Sequence, residues 1–277
     1  MFAAAFLWGV SFVVMKNLLD DIAPFTIIAI RFCAAALILL PACSRKLKKT
    51  DKAYIAGGLI MGLAIFAAYA LQTYGLKYTT PGKNAFLTST YCIMTPFLYW
   101  LLIKKRPDRF NVIAALICIV GVGLITLDSN LTIGVGDALT IFCGLFYALH
   151  IIAASRYAPG RDPLLLMMYQ FAFGGAAALA CAFVFDPVPA AFGAESILSL
   201  VFLIAVCTMA CQFLQIFGQK HTPPSQAAVI MTFESVFGAL TSVLLYKETL
   251  DLRLAAGFTL TFAAVLISEA KPSRKRA

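Results

Sequence analysis

The sequence alternates between long apolar runs and short polar segments. The apolar runs are about 17 to 25 residues long, which is the length that an α-helix needs to cross the hydrocarbon core of a bilayer. One or two such runs can form the core of a soluble protein, but ten cannot, so the pattern predicts a polytopic membrane protein. The predicted spans are residues 2–19, 25–43, 54–76, 82–103, 110–127, 134–155, 163–185, 196–218, 224–246 and 252–270.

A stretch near the end of the chain repeats an earlier one. Residues Leu71–Asp108 align without a gap on Leu214–Asp251, at an offset of 143 positions, and 11 of the 38 positions are identical. A repeat of this length is far longer than a solenoid unit and is typical of a membrane protein built from two homologous halves. Many of the identities are polar residues, glycine or proline, among them Gln72/Gln215, Gly75/Gly218, Lys77/Lys220, Pro81/Pro224 and Asp108/Asp251.

The two halves are predicted to cross the membrane in opposite directions. Each half contributes five spans, an odd number, so the second half enters from the opposite face of the bilayer. We therefore predict an all-α integral membrane protein with ten transmembrane helices in two inverted five-helix repeats. The repeats are residues 1–132 and 133–270, and a basic tail follows at 271–277. In such proteins the substrate site lies near the midplane, where the repeats meet.

Charged residues are scarce and lie mostly in the connections. The chain is 61% hydrophobic and 13% charged, with a net charge of +9, whereas a soluble domain carries roughly a quarter charged residues. With the N-terminus inside, 16 Lys and Arg residues lie in cytoplasmic segments and five in outer segments. This bias indicates membrane topology rather than a nucleic-acid partner, and it predicts an inner-membrane protein with both termini in the cytoplasm.

Four segments carry a resemblance to a known family. They are Phe6–Phe12 (FLWGVSF), Arg31–Phe32, Phe233–Leu250 and Ala255–Ile267. In these segments, and over essentially its whole length, the chain resembles the ten-helix EamA-type transporters of the drug/metabolite transporter superfamily. The resemblance implies movement of small metabolites, commonly amino acids, into or out of the cell without ATP hydrolysis.

The chain departs from the pattern of that family at two places. Members often have a glutamate just after the fourth span, where this chain has Lys105, while Glu248 keeps the glutamate after the ninth span. A proline often follows the mid-helix glutamate of the ninth span, and Ser235 replaces it here. Because the shared motifs are degenerate and apolar, the resemblance indicates the fold and leaves the substrate open.

Two ionisable residues, Arg31 and Glu234, lie deep within predicted spans. A charged group inside a bilayer costs a few kcal/mol, so it needs a partner, water or a functional role. At a rise of 1.5 Å per residue, Arg31 lies roughly 10 Å from the outer end of its span and Glu234 roughly 15 Å from the inner end. In a core about 30 Å thick their depths are similar. They form either a structural ion pair or a site that binds substrate or a proton.

Polar residues recur at matched positions of the two repeats. Tyr69 and Gln72 lie three residues apart in the third span, and Gln212 and Gln215 occupy the corresponding positions in the eighth. Such amide and hydroxyl groups can bind the amino or carboxyl group of a metabolite; the alternative is hydrogen bonding between helices, worth about 0.6 kcal/mol each. We predict that they contribute to substrate binding, together with Asn84, Thr88 and Tyr91 of the fourth span, where Tyr91 is the counterpart of Glu234.

Aromatic residues and one histidine complete the predicted site. Trp8, Phe12 and Tyr147 are placed to line an apolar cavity, and Tyr169 is a further candidate. Plain packing or anchoring at the membrane interface is the alternative for these rings. His150, deep in the sixth span, is either a neutral hydrogen-bonding group between helices or a proton-coupling group.

The sequence carries no catalytic or metal-binding pattern. The eight cysteines lie in apolar segments without a CxxC motif, and we interpret them as small buried residues, with disulfides or metal ligands as the alternative. No HExxH, GxSxG or Walker A motif is present. We therefore expect a protein that is not an enzyme and uses no metal or other cofactor.

Taken together, these features predict a secondary transporter that moves a small metabolite by alternating access between its halves. The expected substrate is an amino acid or a related compound, and the expected direction is export. The expected partners are this substrate and the lipid bilayer, with no nucleic acid, and we expect a monomer that encloses its own cavity. The alternative is a lipid-handling or non-transporting scaffold protein, which would carry a polar stripe open to lipid.

Overall fold

The structure is a computed structural model, and it describes residues 1–104, 106–127, 133–187, 192–222 and 224–269. Within these ranges the chain is almost entirely helical, and the extended pairing is limited to one isolated bridge between Leu127 and Ile133. The predictions made for Lys105 and for the basic tail at 271–277 lie outside the described residues.

The described part of the chain forms twelve α-helices joined mostly by short connections. A 3₁₀ turn at Ser44–Lys49 follows the second helix, and a π-helical segment at Leu203–Ala210 joins the ninth to the tenth. The helices are α1 (Phe2–Leu18), α2 (Pro24–Cys43), α3 (Lys52–Lys77), α4 (Pro81–Thr88), α5 (Tyr91–Ile103), α6 (Arg109–Thr126), α7 (Val135–Tyr157), α8 (Pro163–Phe185), α9 (Ala194–Phe202), α10 (Cys211–Gln219), α11 (Pro224–Leu245) and α12 (Leu252–Glu269).

Helical segments coincide with all ten predicted spans. Seven segments of the described chain are long and apolar enough to cross a membrane. Three shorter apolar helices, Phe2–Leu18, Arg109–Ile125 and Leu252–Ile267, lie at the first, fifth and tenth predicted spans. The prediction of an all-helical, multi-pass membrane protein is confirmed, while the crossing by the three shorter helices and the inverted relation of the halves stay predictions.

Two of the predicted spans are not continuous α-helices. The fourth is interrupted at Ser89 and Thr90, between α4 and α5. Both hydroxyl groups donate hydrogen bonds to carbonyl groups of the preceding turn, Ser89 to Ala85 and Thr90 to Leu87. Such bonds compete with the backbone pattern of the helix, which loosens there. The eighth contains the π-helical segment, an arrangement that is common at functional sites.

Local chemistry sets several helix starts. Prolines stand at the first positions of α2, α4 and α8, where a missing N–H leaves no bond unmade. The Asp162 carboxylate caps α8 by accepting from the backbone N–H groups of Leu164 and Leu165, and it also pairs with Lys46 at 2.7 Å. Burial raises the pKa of Asp162, but the bonds from Lys46 and the helix N–H groups outweigh it and hold the pKa below its usual value.

The two halves of the chain are interleaved rather than separate. The most extensive helix contacts all join a helix of the first half to one of the second: α6 with α12, α2 with α8, α3 with α7 and with α8, and α1 with α11. Phe32 of α2 and Phe171 of α8 pack ring to ring, with centroids 5.3 Å apart. The central space of the molecule is therefore bounded by helices of both halves.

Glycines allow the closest of these helix contacts. A Cβ atom at Gly62 of α3 would lie 2.5 Å from the Gln170 carbonyl oxygen of α8, and Gly58, one turn earlier, faces Tyr169 of α8 just as tightly. Small residues four apart let two helix backbones touch. The same device appears at Gly9 of α1, where a Cβ would lie 2.5 Å from the Cβ of Phe237 in α11.

The outer surface of the helix bundle is strongly apolar. Phe183 and Leu252 are 82% and 88% exposed, and many further Leu, Ile, Val and Phe side chains of the described helices are exposed as well. A contiguous apolar exterior of this extent is unfavourable in water and suits the hydrocarbon of a bilayer.

Candidate functional site

A cavity lies in the centre of the bundle, between helices of both halves. Its walls come from α1, α2, α3, α5, α7, α10 and α11, and they combine aromatic, amide and charged groups. The lining residues are Trp8, Ser11, Phe12, Met15, Arg31, Tyr69, Gln72, Thr73, Leu76, Tyr91, Tyr147, Ile151, Gln212, Gln215, Met231 and Glu234.

A second, larger space is a poorer candidate. It has a volume of about 620 Å³ and lies between α5, α6 and α7, towards the apolar exterior. Its walls are almost wholly aliphatic and aromatic, and the Thr90 hydroxyl at its edge already donates to the Leu87 carbonyl. A binding site needs a few polar groups that orient its ligand, so the central cavity is the candidate site.

The structure brings most of the predicted site residues together at this cavity. Ten of them line it: Trp8, Phe12, Arg31, Tyr69, Gln72, Tyr91, Tyr147, Gln212, Gln215 and Glu234. Asn84, Thr88 and His150 are buried behind the wall instead. Tyr169 lies near the start of α3, where its hydroxyl bonds to that of Thr50 at 3.0 Å. Their roles in substrate binding stay predictions.

Asn84 and Thr88 hold Gln72 rather than line the cavity. The Asn84 Nδ2 group donates to the Gln72 carbonyl at 3.2 Å and to the Thr140 hydroxyl at 2.7 Å. The Gln72 Nε2 group donates to the Thr88 hydroxyl at 3.1 Å, while the Tyr147 hydroxyl donates to Gln72 Oε1 at 2.8 Å. Gln72 is thus locked by α4 and α7, so its amide geometry is fixed before any ligand arrives.

Arg31 is buried at the cavity and is anchored without an acidic partner. It is 3% exposed, its Nε group donates to the Thr208 hydroxyl at 3.0 Å, and its guanidinium lies 4.9 Å from the centroid of the Tyr69 ring. A cation over an aromatic face is stabilised by the negative potential of the ring. Arg31 lines the cavity, where a guanidinium can bind an anion.

Glu234 is the buried carboxyl group of this cavity. It is 7% exposed, lines the same cavity and lies beside the hydroxyl of Tyr91, its counterpart in the first repeat. That hydroxyl is buried and faces the Glu234 carboxyl group. The ion pairs found in the described chain are Lys46–Asp162 and Lys83–Asp137, so Arg31 and Glu234 share the cavity without a direct bridge.

Trp8 ties α1 to the π-helical segment. Its indole Nε1 group donates to the Cys207 carbonyl at 2.8 Å, and the Arg31 bond to Thr208 follows at the next residue. A π-helical segment widens the helix and leaves carbonyl groups poorly paired. The segment therefore accepts a hydrogen bond from Trp8 through a backbone carbonyl group and one from Arg31 through a side-chain hydroxyl. Both donor side chains line the cavity.

Three matched pairs of the repeat meet at the cavity. Tyr69 and Gln212, Gln72 and Gln215, and Tyr91 and Glu234 are each separated by 143 positions, and all six residues line it. Sequence reasoning missed six other lining residues. Ser11 and Met15 could have been found because they share the helix face of Trp8; the full set is Ser11, Met15, Thr73, Leu76, Ile151 and Met231.

Metal and disulfide chemistry find no support in the described residues. The eight cysteines form no disulfide among the described residues, and six of them are buried and two half-buried. No group of three or more His, Cys, Asp or Glu side chains that could hold a metal ion occurs within the described ranges. The interpretation of the cysteines as small residues packed between helices fits this placement.

Comparisons with known proteins agree on one family. A model of the EamA-like transporter family matches residues 1–127 and 134–269. An Archaeoglobus fulgidus protein described as an uncharacterized transporter is 33% identical over 265 residues, 95% of this chain and 83% of the relative. A second protein of that organism, described in the same words, is 25% identical over 96% of this chain and 94% of the relative. A crystal structure with 16% identity shares the fold, with a TM-score of 0.71 over 97% of this chain and 94% of the other.

Proposed function

Because this chain belongs to the EamA-like transporter family, we propose that it is a secondary transporter that exports an amino acid or a related small zwitterion by alternating access. The observation that carries this proposal is the central cavity. It holds a buried cation and a buried carboxyl group, Arg31 and Glu234, that are not bridged to each other. Buried charges are kept inside membranes for binding or coupling roles.

The chemistry of the cavity suits a zwitterion with an apolar side chain. The Arg31 guanidinium can bind a carboxylate through its free nitrogen atoms, and Glu234 can bind an ammonium group or exchange a proton. Trp8, Phe12 and Met231 supply apolar surface for a side chain. A ligand that carries both charges would complete the pairing that the two residues lack.

The size of the cavity supports a moving site. Its volume is about 50 Å³, far below the roughly 300 Å³ at which pockets for small-molecule ligands usually begin. A substrate therefore requires a wider state. In the mechanism that we propose, the interleaved halves rock against each other about this site, as inverted five-helix repeats do in other secondary transporters.

Polar contacts are more numerous at one end of the bundle. There, Lys16 Nζ donates to the carbonyl groups of Leu76 and Thr79, and the Asp186 carboxylate accepts from Thr26. At the same end, the Glu248 carboxylate accepts from Thr80 and Gly82. The charge bias predicts that this end faces outward, with ten spans and both termini in the cytoplasm of an inner-membrane protein. We propose that these contacts close the outer side in this state.

The remaining functional assignments follow from the family and the cavity. We propose that the protein works as a monomer, without cofactor or ATP, and that it is not an enzyme. Glu234 is the residue proposed to couple transport to a cation gradient. A lipid-handling or scaffold role is the alternative, and it predicts no exchange of polar solutes.

Counterflow in proteoliposomes tests the proposal. Proteoliposomes that contain the purified protein are loaded with an unlabelled compound from a panel of amino acids, aromatic amines and nucleobases. The uptake of the same compound in labelled form is then measured. We expect exchange of at least one amino acid, lost in Glu234→Ala and reduced in Gln72→Ala because both side chains face the cavity. Phe183→Ala, a change on the exposed face, serves as the matched control and should exchange normally.

The variant Glu234→Gln then separates coupling from binding. A coupled transporter loses accumulation against a gradient with this change, whereas a facilitator changes its affinity and still equilibrates its substrate. The absence of exchange across the whole panel, in wild-type protein with verified folding, would count against the proposed function.

A further inference from the structure

A hydrogen-bonded chain of three side chains runs from the interior of the second half to the cavity wall. His150 of α7 bonds to Gln170 of α8, with Nε2 and Oε1 2.9 Å apart. The Gln170 Nε2 group donates in turn to Gln212 Oε1 at 3.5 Å. His150 and Gln170 are completely buried, and of the three only Gln212 lines the cavity.

The surroundings of His150 fix the direction of this chain. Its other ring nitrogen, Nδ1, is buried and has no hydrogen-bond partner among the described residues. A buried N–H group without an acceptor is rarer and less favourable than a bare acceptor nitrogen. The proton of a neutral His150 therefore belongs on Nε2, which donates to Gln170 Oε1.

The direction propagates through both glutamines. Because Oε1 of Gln170 faces His150, its NH₂ group faces Gln212 and donates to Gln212 Oε1, which turns that oxygen toward Gln170. Gln212 is left with an NH₂ group to present to the cavity. Without this chain the Gln212 amide could rotate by 180° and present its oxygen instead.

Gln212 and the hydrogen-bond partner of Arg31 lie on neighbouring turns of one helical segment. Arg31 bonds to Thr208, and Gln212 follows Thr208 by four residues, one helical turn along the same face. Arg31 and Gln170 are also equivalent in position, since each is the eighth residue of a helix that begins with proline, Pro24 or Pro163. Arg31 of α2 therefore bonds to one turn of this helical segment at Thr208, and Gln170 of α8 bonds to the next turn at Gln212.

The opposite polarity appears at Gln215. Its Nε2 group donates to Gln219 Oε1 at 3.2 Å, and Gln219 donates to the Ile151 carbonyl at 3.3 Å. Gln215 therefore presents its oxygen to the cavity that Glu234 also lines. Arg31 and Gln212 thus offer hydrogen-bond donors to the cavity, whereas Gln215 and Glu234 offer acceptors.

We propose that His150 and Gln170 are positioning residues that hold the Gln212 amide with its NH₂ group toward the cavity, so that the carboxylate of a zwitterionic substrate binds between Gln212 and Arg31. The inference rests on the proposed function and deepens it, because it specifies the orientation of the substrate. Neither residue touches the substrate; both act through Gln212.

Nitrogen NMR tests the chain independently of transport. The protein has two histidines, so labelling with [¹⁵N]histidine gives two pairs of imidazole nitrogen signals, and His221→Phe removes the pair of the exposed loop residue. At pH 7 we expect His150 to be neutral and protonated at Nε2, with a signal that shifts in Gln170→Met. An imidazolium, or a neutral ring protonated at Nδ1, would overturn the proposal.

Competition measures the consequence for recognition. In counterflow of the best panel substrate, the inhibitory concentrations of L-phenylalanine and L-phenylalaninamide are compared, since the two differ only in the carboxyl group. We expect wild-type protein to favour the acid, and His150→Phe and Gln170→Met to lower this preference about tenfold, as for loss of one hydrogen bond to a charged group. His221→Phe should keep the wild-type ratio.

The two readouts separate the possible failures. An unchanged preference for the acid in both variants, or no preference in wild-type protein, would overturn the positioning role even if transport is confirmed. Failure of wild-type protein to exchange any panel compound would count against the proposed function, and the tautomer of His150 would still decide whether the chain exists as described. If His150→Phe does not fold, Gln170→Met provides the same comparison.

Discussion

At the residue scale, Arg31 shows how a buried charge is kept without an ion pair. Its Nε group donates to the hydroxyl of Thr208 in the π-helical segment, and its guanidinium lies over the face of the Tyr69 ring. The terminal nitrogen atoms remain available to a ligand. Desolvated charges are tolerated when hydrogen bonds and polarisable groups replace water. Glu234 stays at the same cavity unbridged, which is the arrangement that a charged ligand can exploit.

This arrangement predicts the outcome of a double-mutant cycle. Arg31→Leu and Glu234→Leu should each lower the stability of the purified protein in detergent, and their costs should add within about 0.5 kcal/mol because no direct bond joins the two side chains. Thermal unfolding of the four proteins measures the coupling. A double variant more stable than either single variant would instead reveal a direct ion pair.

At the element scale, backbone contact between α3 and α8 determines where the site residues of both helices point. Gly58 and Gly62 form a GxxxG motif on α3, and Gly62 rests on the backbone of α8 at Gln170. This contact sets the rotation of α3, which carries Tyr69 and Gln72 to the cavity. It also holds Gln170 at the height of His150.

A glycine pair tests that contact. Gly62→Ala should lower the thermal stability by several degrees, because its Cβ would lie 2.5 Å from the Gln170 carbonyl oxygen and the backbones must separate. Gly123→Ala is the matched control, since its Cβ would meet only a Leu127 methyl group at 3.7 Å. It should be neutral or slightly stabilising, as alanine favours helix by up to about 1 kcal/mol. Equal effects would show that the α3–α8 contact is not tight.

At the scale of the whole molecule, hydrogen bonds at the end predicted to face outward join helices of the two halves. The Glu248 carboxylate, just after α11, accepts from Thr80 and Gly82 at the start of α4 and from Ser242. It therefore joins the second half to the first at this end of the bundle. The glutamate that the family resemblance singled out after the ninth span has this structural task.

Cysteine labelling checks the closure that we propose. In a cysteine-free background, Ser11→Cys in the cavity should react slowly with a membrane-impermeant maleimide added from outside. Adding Glu248→Ala should raise the rate severalfold, because the hydroxyl and N–H groups that it holds are released. Glu195→Ala, at an exposed position in the first turn of α9, is the control. If Glu248→Ala leaves the rate unchanged, these contacts do not close the outer side.

Much of the lining of the candidate site could be predicted, because the polar residues of the repeat recur at matched positions. Tyr69, Gln72, Gln212 and Gln215 were recognisable as polar residues at matched positions, and all four line the cavity. The distinction between lining and supporting residues could not be predicted in the same way. Asn84 and Thr88 have the same polarity and spacing as lining residues, yet both lie on the short helix α4 and bond to Gln72.

The sequence by itself determined the helical segments, the two repeats and the family. These depend on local pattern, because the length of an apolar run and the spacing of its polar residues are set by the bilayer and by the helical repeat. The tertiary structure alone decided that Arg31 bonds to Thr208 rather than Glu234 and that His150 acts behind Gln212. Such pairings depend on the rotation and height of helices far apart in sequence, which the contacts between helix backbones fix.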